Sequence, residues 1–190
     1  MQNVLRESVL VLNRSWQAVD VTDVETAFCN MTRGVCTGMD TELMRPVTMN
    51  EWMTLLVRDG DKSIGTLHGR VRVPTVIVAV SYAKVPKKRP KLTNRAIAER
   101  DGFRCQVTGE YCPTNGSVDH LVPKSRGGAK KSWKNMAWMK AKVNQKKGDR
   151  TLEEAGLTLL RQPFEPPEVP ATLLIKKRPD RPEWDSFLIH

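Results

Sequence analysis

The chain has 190 residues, of which 39% are apolar, and a formal net charge of +10. That length bounds it to one medium domain or two small ones with a packed core, and no apolar run approaches the roughly 18–20 residues needed to span a bilayer. Four cysteines, Cys29, Cys36, Cys105 and Cys112, are not required as a disulfide framework in so long a chain, and the opening Met-Gln-Asn-Val-Leu-Arg-Glu-Ser is unlike a secretory signal. Reduced thiols, no membrane partner and a cytoplasmic setting are expected.

In chain order, Thr22 and Glu25 form a Thr-x-x-Glu box opening a helix through Val24, Ala27, Phe28 and Met31 that stops at Gly34. A second box, Thr48 with Glu51, opens a helix through Trp52, Leu55 and Leu56 that ends before Gly60. Residues 9–12 and 71–82, rich in Val and Ile, read as buried strands, with Pro74 at an edge or bulge. Residues 1–85 are therefore expected as a small α/β domain. The Pro86-Lys-Lys-Arg-Pro90 run resists helix and central strand alike, so residues 86–92 read as a basic extended linker, either inert or laid along a phosphate backbone. Thr93 caps a helix through Ala96, Ile97 and Arg100 that ends at Gly102.

Residues 103–107 and 117–122 then read as two short strands around a turn at Pro113, Asn115 and Gly116, with a helix after Asn135. Thr151 and Glu154 make a third capping box, for a helix to about residue 160. Prolines 163, 166, 167, 170, 179 and 182 make residues 161–190 an extended tail, which either wraps the domain through Leu173, Leu174 and Ile175 or reaches toward a partner. The closing stretch from Trp184 to His190 is a possible docking element with nothing diagnostic in it. The fold class is α+β.

The charge is unevenly spread. Residues 1–83 hold 8 Lys+Arg and 9 Asp+Glu, residues 84–150 hold 18 and 5, and residues 151–190 hold 5 and 7. A localised block this basic is the footprint of a polyanion partner, with nucleic acid the natural candidate. The bland alternative is a solvated basic face.

Within that block, His120 sits in Val118-Asp119-His120-Leu121-Val122-Pro123, ahead of Asn135 in Ser-Trp-Lys-Asn and Asn144 in Val-Asn-Gln-Lys-Lys-Gly. An imidazole exchanges a proton near neutral pH, while a carboxylate and an amide oxygen are hard ligands suited to Mg²⁺ or Mn²⁺. A base beside a metal points to a metal-dependent nuclease. On a helix Lys140, Asn144 and Lys147 would share one face, flanking the ligand with ammonium groups. An isolated Asp-His pair is usually structural, and Asn135 and Asn144 alone would read as a turn residue and a helix cap; order, spacing and basic surroundings together favour a site. His68 and His190 carry no such pattern. No Gly-x-x-x-x-Gly-Lys loop, His-Glu-x-x-His helix or Gly-x-Ser-x-Gly elbow is present, and Gly127-Gly128 reads as a flexible turn.

The strand, strand, helix order, with His120 ending the second strand and Asn144 on the helix, resembles the ββα-metal core of the HNH endonuclease family. The resemblance runs from about Arg95 to Leu160. It takes in Arg100-Asp-Gly-Phe-Arg-Cys-Gln, Asp119-His120, Pro123-Lys-Ser-Arg-Gly-Gly, Trp133-Lys-Asn135, Asn144-Gln-Lys-Lys-Gly-Asp-Arg-Thr and Glu153-Glu-Ala-Gly. Residues 93–160 are thus expected as the nuclease core. Leu10-Val-Leu-Asn-Arg-Ser-Trp-Gln-Ala-Val and Val73-Pro-Thr-Val-Ile also look like the amino-terminal region of one bacterial and phage branch of that family.

The resemblance implies His120 as general base, Asp119 and Asn144 as ligands of one Mg²⁺ or Mn²⁺ ion, and Asn135 as the acceptor that orients the imidazole. It further implies hydrolysis of DNA phosphodiesters to 5′-phosphate and 3′-hydroxyl ends. Lys124, Arg126, Lys140, Lys146, Lys147 and Arg150 are expected to contact DNA phosphates. Consecutive residues of a regular strand face opposite sides, so Asp119 and His120 reach one phosphate only where the strand ends or bends.

Many family members brace this core with zinc held by two Cys-x-x-Cys pairs. Here Thr108 follows Cys105 at the second position, and Lys140 and Val143 stand where the other pair would lie, so no structural zinc is expected. Trp133, Met136, Trp138 and Met139 are expected to fill the space. One site per chain makes a single nick the default, and a double-strand cut then needs a homodimer or two visits. The alternative is a catalytically silent or partner-dependent DNA-binding protein of the same fold, for example one associated with phage packaging.

Overall fold

The computed structural model describes residues 3–67 and 69–188; His68 and His190 lie outside the described residues. The protein is mixed α and β, and no helix of the described residues is long and apolar enough to cross a membrane. The chain divides into two compact units: residues up to Lys88 together with those from Val169 onward, and Arg89–Glu168 between them.

The first unit is built on a five-stranded sheet. Its strands are β1 (Ser8–Leu12), β2 (Ala18–Asp23), β3 (Cys36–Asp40), β4 (Arg45–Val47) and, later in the chain, Val76–Ala79, in the order β2, β1, Val76–Ala79, β3, β4. Helix α1 (Val24–Thr32) follows β2, and α2 (Met49–Trp52) follows β4. The cap of α1 is Asp23, whose side chain accepts from Thr26 N, rather than the expected Thr22. The second helix is a single turn capped by Thr48, so Leu55 and Leu56 lie beyond it.

Residues 71–82 form two strands rather than one. β5 (Ser63–Thr66) pairs with β6 (Gly69–Arg72), and after the break at Pro74 the chain enters the main sheet as β7 (Val76–Ala79), parallel to β1 and antiparallel to β3. All four residues of β7 are buried, as suits a central strand covered on both faces. On one face Ile77 and Ala79 join Val9, Ala27, Met31 and Trp52. The expected linker contains a short strand, β8 (Lys87–Lys88).

In the second unit, α3 (Asn94–Arg100) is capped by Thr93, whose hydroxyl accepts from Ala96 N as expected. β9 (Gly116–His120) pairs antiparallel with β10 (Met136–Lys140), and α4 (Ala141–Lys147) follows at once. This corrects two expectations. Residues 103–107 make only an isolated bridge, Arg104 to Tyr111, and the second strand is the Met-Ala-Trp-Met-Lys run, whose side chains are buried against Ile97, Ala98, Cys105 and Cys112. Thr151 and Glu154 form their reciprocal bonds, but they close a turn instead of opening a helix.

The chain then returns to the first unit. β11 (Val169–Pro170) pairs with β8, and Trp184, Phe187 and Leu188 cover the second face of the main sheet over Leu10, Leu12, Met39, Val76 and Val78. Trp184 Nε1 donates to Thr75 O at 3.0 Å. The wrapping is thus done by these residues, while Leu173 stays exposed and only Ile175 of the three expected residues joins the packing.

Candidate active site on β9 and α4

Strand alternation places Ser117 and Asp119 on one face of β9. Asn144 and Lys147, one turn apart on α4, meet them from the helix. Asn144 Nδ2 donates to Ser117 Oγ at 2.8 Å, and Lys147 Nζ lies 2.9 Å from Asp119 Oδ2. The lysine side chain is 1% exposed and the aspartate 13%. Lys147 Nζ also donates to His120 O at 2.9 Å, so one ammonium group ties α4 to both residues ending β9. Its approach to Asp119 Oδ2 is an ion pair without hydrogen-bond direction, and among the described residues that buried oxygen has no hydrogen-bond donor.

His120 is the last residue of β9 and pairs with Met136 of β10. Its Nε2 lies 3.1 Å from the carbonyl oxygen of Lys130 in the β9–β10 connection. A carbonyl only accepts, so Nε2 carries the hydrogen and, in the neutral ring, Nδ1 holds the lone pair. Among the described residues Nδ1 has no hydrogen-bond partner.

Asn135 sits elsewhere than expected. Its Oδ1 accepts from Val122 N at 2.9 Å, and its Nδ2 donates to Val122 O and Ala129 O, both at 3.1 Å. It therefore pins both ends of the connection that carries the Lys130 carbonyl, and among the described residues makes no hydrogen bond to the imidazole. The connection is tight: a Cβ at Gly128 would collide with the Val122 carbonyl, so Gly127-Gly128 is a shaped turn rather than a merely flexible one. The Lys130 acceptor was invisible in the sequence because a backbone carbonyl belongs to every residue.

The expected phosphate contacts divide. Lys124 and Lys146 are exposed and, among the described residues, free of ion pairs. Arg126 is paired with Glu154 at 2.6 Å, and Lys140 with Glu110 at 2.6 Å. Lys140 ends β10 and is not on the helix, so it shares no helix face with Asn144. Arg150 is exposed, but its guanidinium bonds the carbonyls of Lys146 and Lys147. Lys147 is a correction outright: buried beneath Asp119, it cannot reach a phosphate from solvent. Lys130, Lys131, Lys134 and Lys142 are exposed cations that sequence reasoning passed over.

Residues 9–87 match the family model of the HNH endonuclease-associated, N-terminal domain. No curated protein and no solved structure matches the chain. The matched segment is less than half of the chain, lies within the first unit and contains both amino-terminal segments quoted above. It sets the chain in an HNH endonuclease context.

A divalent ion placed here would have two protein donors to use, the Asp119 carboxylate and the Asn144 amide oxygen, which has no hydrogen-bond donor among the described residues. The same residues hold no cluster of three or more His, Cys, Asp or Glu suited to a metal. So sparse a set of hard oxygens fits an ion held largely by water and substrate, as Mg²⁺ commonly is.

Beneath the site the packing is partly polar. Trp133, Met136, Trp138 and Met139 are buried as expected, but their centre is an Arg100–Asp101 pair. Arg100 bonds both Asp101 oxygens at 2.8 and 2.9 Å and donates to the carbonyls of Trp133, Met136 and Phe164, while Asp101 Oδ2 accepts from Trp138 N. Cys105 and Cys112 are both buried nearby. Burial pushes both thiols up, and at Cys105 it is outweighed by hydrogen bonds from the Thr108 side chain and the amides of Lys140, Thr108 and Val107, which hold that thiol below its ordinary value. Cys112 stays above its ordinary value, through burial and then the charge of Cys105.

Proposed function

We propose that this protein is a metal-dependent HNH-type endonuclease that hydrolyses DNA phosphodiester bonds. The observation that carries the reading is the contact of His120 Nε2 with the Lys130 carbonyl, which leaves Nδ1 as a proton acceptor on the residue next to Asp119. His120 Nδ1 takes the proton of a water attacking phosphorus. Asn135 keeps the Lys130 carbonyl in place, so that the ring presents this nitrogen and not the other. Asp119 and Asn144 would hold one Mg²⁺ or Mn²⁺ ion, which would offset charge developing on the phosphate and the leaving oxygen. Exposed Lys124 and Lys146 position the DNA backbone without reading its bases.

The test is cleavage of supercoiled plasmid with Mg²⁺, Mn²⁺ or excess chelator, beside an identically prepared His120→Ala variant. Metal-dependent nicking that disappears in the variant upholds the proposal. One observation favours a second reading, a silent or partner-dependent DNA-binding protein: the Lys147 ammonium already pairs with Asp119. No cleavage by the wild type, alongside salt-sensitive DNA binding, would sustain that reading instead.

A further inference from the structure

Lys147 is the buried charge that the proposed chemistry leaves unused. Its ammonium sits 2.9 Å from Asp119 Oδ2 and 2.9 Å from His120 O, with its side chain 1% exposed. It lies in the last turn of α4, where the helix dipole favours a cation. We propose that Lys147 is an internal counter-ion that keeps the divalent-ion site weak until a DNA phosphate arrives, so that metal and DNA bind cooperatively. This rests on the reading that Asp119 and Asn144 hold the ion.

The argument is electrostatic. Asp119 is the one charged donor of the pair, and its charge is already offset by the ammonium beside it, while Asn144 is neutral. A divalent ion approaching Asp119 therefore meets a donor set of no net charge and is repelled by Lys147 across a single carboxylate. Lys147 does not readily swing aside, because its stem is buried and its remaining hydrogen bond goes to the His120 carbonyl. A phosphodiester supplies both the missing negative charge and further oxygen ligands. By linkage, the ion must then raise the affinity for DNA by the factor that DNA raises the affinity for the ion.

This arrangement differs from a simple brace in the sign of its effect. Removing a brace loosens the site and weakens metal binding, whereas removing a counter-ion strengthens it. Lys147 is in this sense a positioning residue that also sets the electrostatic threshold of the site.

The deciding experiment is a Mn²⁺ titration of the full chain, read by the relaxation of water protons, in a His120→Ala background that leaves DNA intact, with and without a short duplex. Lys147→Met and Lys147→Gln are expected to bind Mn²⁺ roughly tenfold or more tightly than the Lys147 parent in the absence of DNA. The duplex should tighten Mn²⁺ binding in the parent and add much less in the variants. Equal or weaker Mn²⁺ binding by the folded neutral variants overturns the proposal while leaving the nuclease reading intact. If neither variant folds, the parent still tests it: an affinity for Mn²⁺ untouched by the duplex overturns the proposal. Failure of every form to bind Mn²⁺, with or without duplex, overturns the metal-dependent reading and this proposal with it.

Discussion

Asp40 in the first unit and Asp119 in the second are both largely buried carboxylates beside a cation, yet they are finished differently. Asp40 Oδ1 accepts from the amides of Glu42 and Leu43 and from Arg58, and Oδ2 accepts from Arg58 Nη2 at 3.0 Å. Every lone pair that matters there has a donor inside the protein. Asp119 Oδ2 has an ammonium at ion-pair distance and no directed hydrogen bond among the described residues. The first arrangement closes the end of β3; the second leaves coordination capacity at the end of β9. A satisfied buried carboxylate reads as structure, and an under-satisfied one beside a histidine reads as a site.

The sharpest break of this comparison is a matched pair of substitutions. Asp119→Asn should lower cleavage per folded molecule by about a hundredfold or more, and should also lower the thermal midpoint by leaving the buried Lys147 ammonium without its counter-charge. Asp40→Asn should destabilise the first unit by about 3 kcal/mol while leaving cleavage per folded molecule unchanged. Calorimetry with a cleavage assay reads both, and a swap of the two outcomes would sink the distinction.

Asn135→Ala should be next in size. It removes three hydrogen bonds from the connection carrying the Lys130 carbonyl, so cleavage should fall by roughly tenfold. Because the loss acts through the orientation of His120, the pH profile of cleavage should change shape as well as height; a uniform drop at every pH would argue for a purely structural role.

Acid sharpens the same contrast. At Asp40 burial works to raise the carboxyl, but the amides of Leu43 and Glu42 and the Arg58 guanidinium outweigh it, holding the group below the usual carboxylate range. A depressed folded value means that Asp40 contributes stability above the ordinary range and loses it as pH falls through the folded value. The wild-type thermal midpoint should therefore drop more steeply than that of Asp40→Asn on acidification below about pH 4. Parallel curves would show that this carboxylate does not stabilise the fold.

The smallest expected effect is at the surface. Lys124→Ala and Lys146→Ala should each reduce the slope of log DNA affinity against log salt by about 1, whereas Arg126→Ala, already paired with Glu154, should change it less. Binding titrations at several salt concentrations separate these cases.

The placement of much of the candidate site was legible in the sequence. Asp119, His120 and Asn144 do fall on the end of a strand and on the following helix, and Thr93 does cap α3. What misled was residues 103–107 and 136–140. The first alternates apolar and polar residues as a strand would, yet makes one bridge only; the second is a short apolar run that helix and strand periodicities describe equally well, and pairing with β9 settled it as a strand. That reassignment moved Lys140 off the helix. Capping boxes also stood only for local turns: Thr151 and Glu154 bond as their spacing predicts, without enough following contacts to hold a helix.

By itself the sequence determined the α+β character, the concentration of positive charge between residues 84 and 150, and the residue types available to the candidate site, because these depend on composition and near-neighbour spacing. Only the tertiary structure decided that the imidazole answers to the Lys130 carbonyl, that Asn135 acts on a loop, that Lys147 lies under Asp119, and that Trp184, Phe187 and Leu188 close the first sheet. Those outcomes turn on burial and on backbone groups brought together from distant parts of the chain, and neither leaves a signature in local sequence.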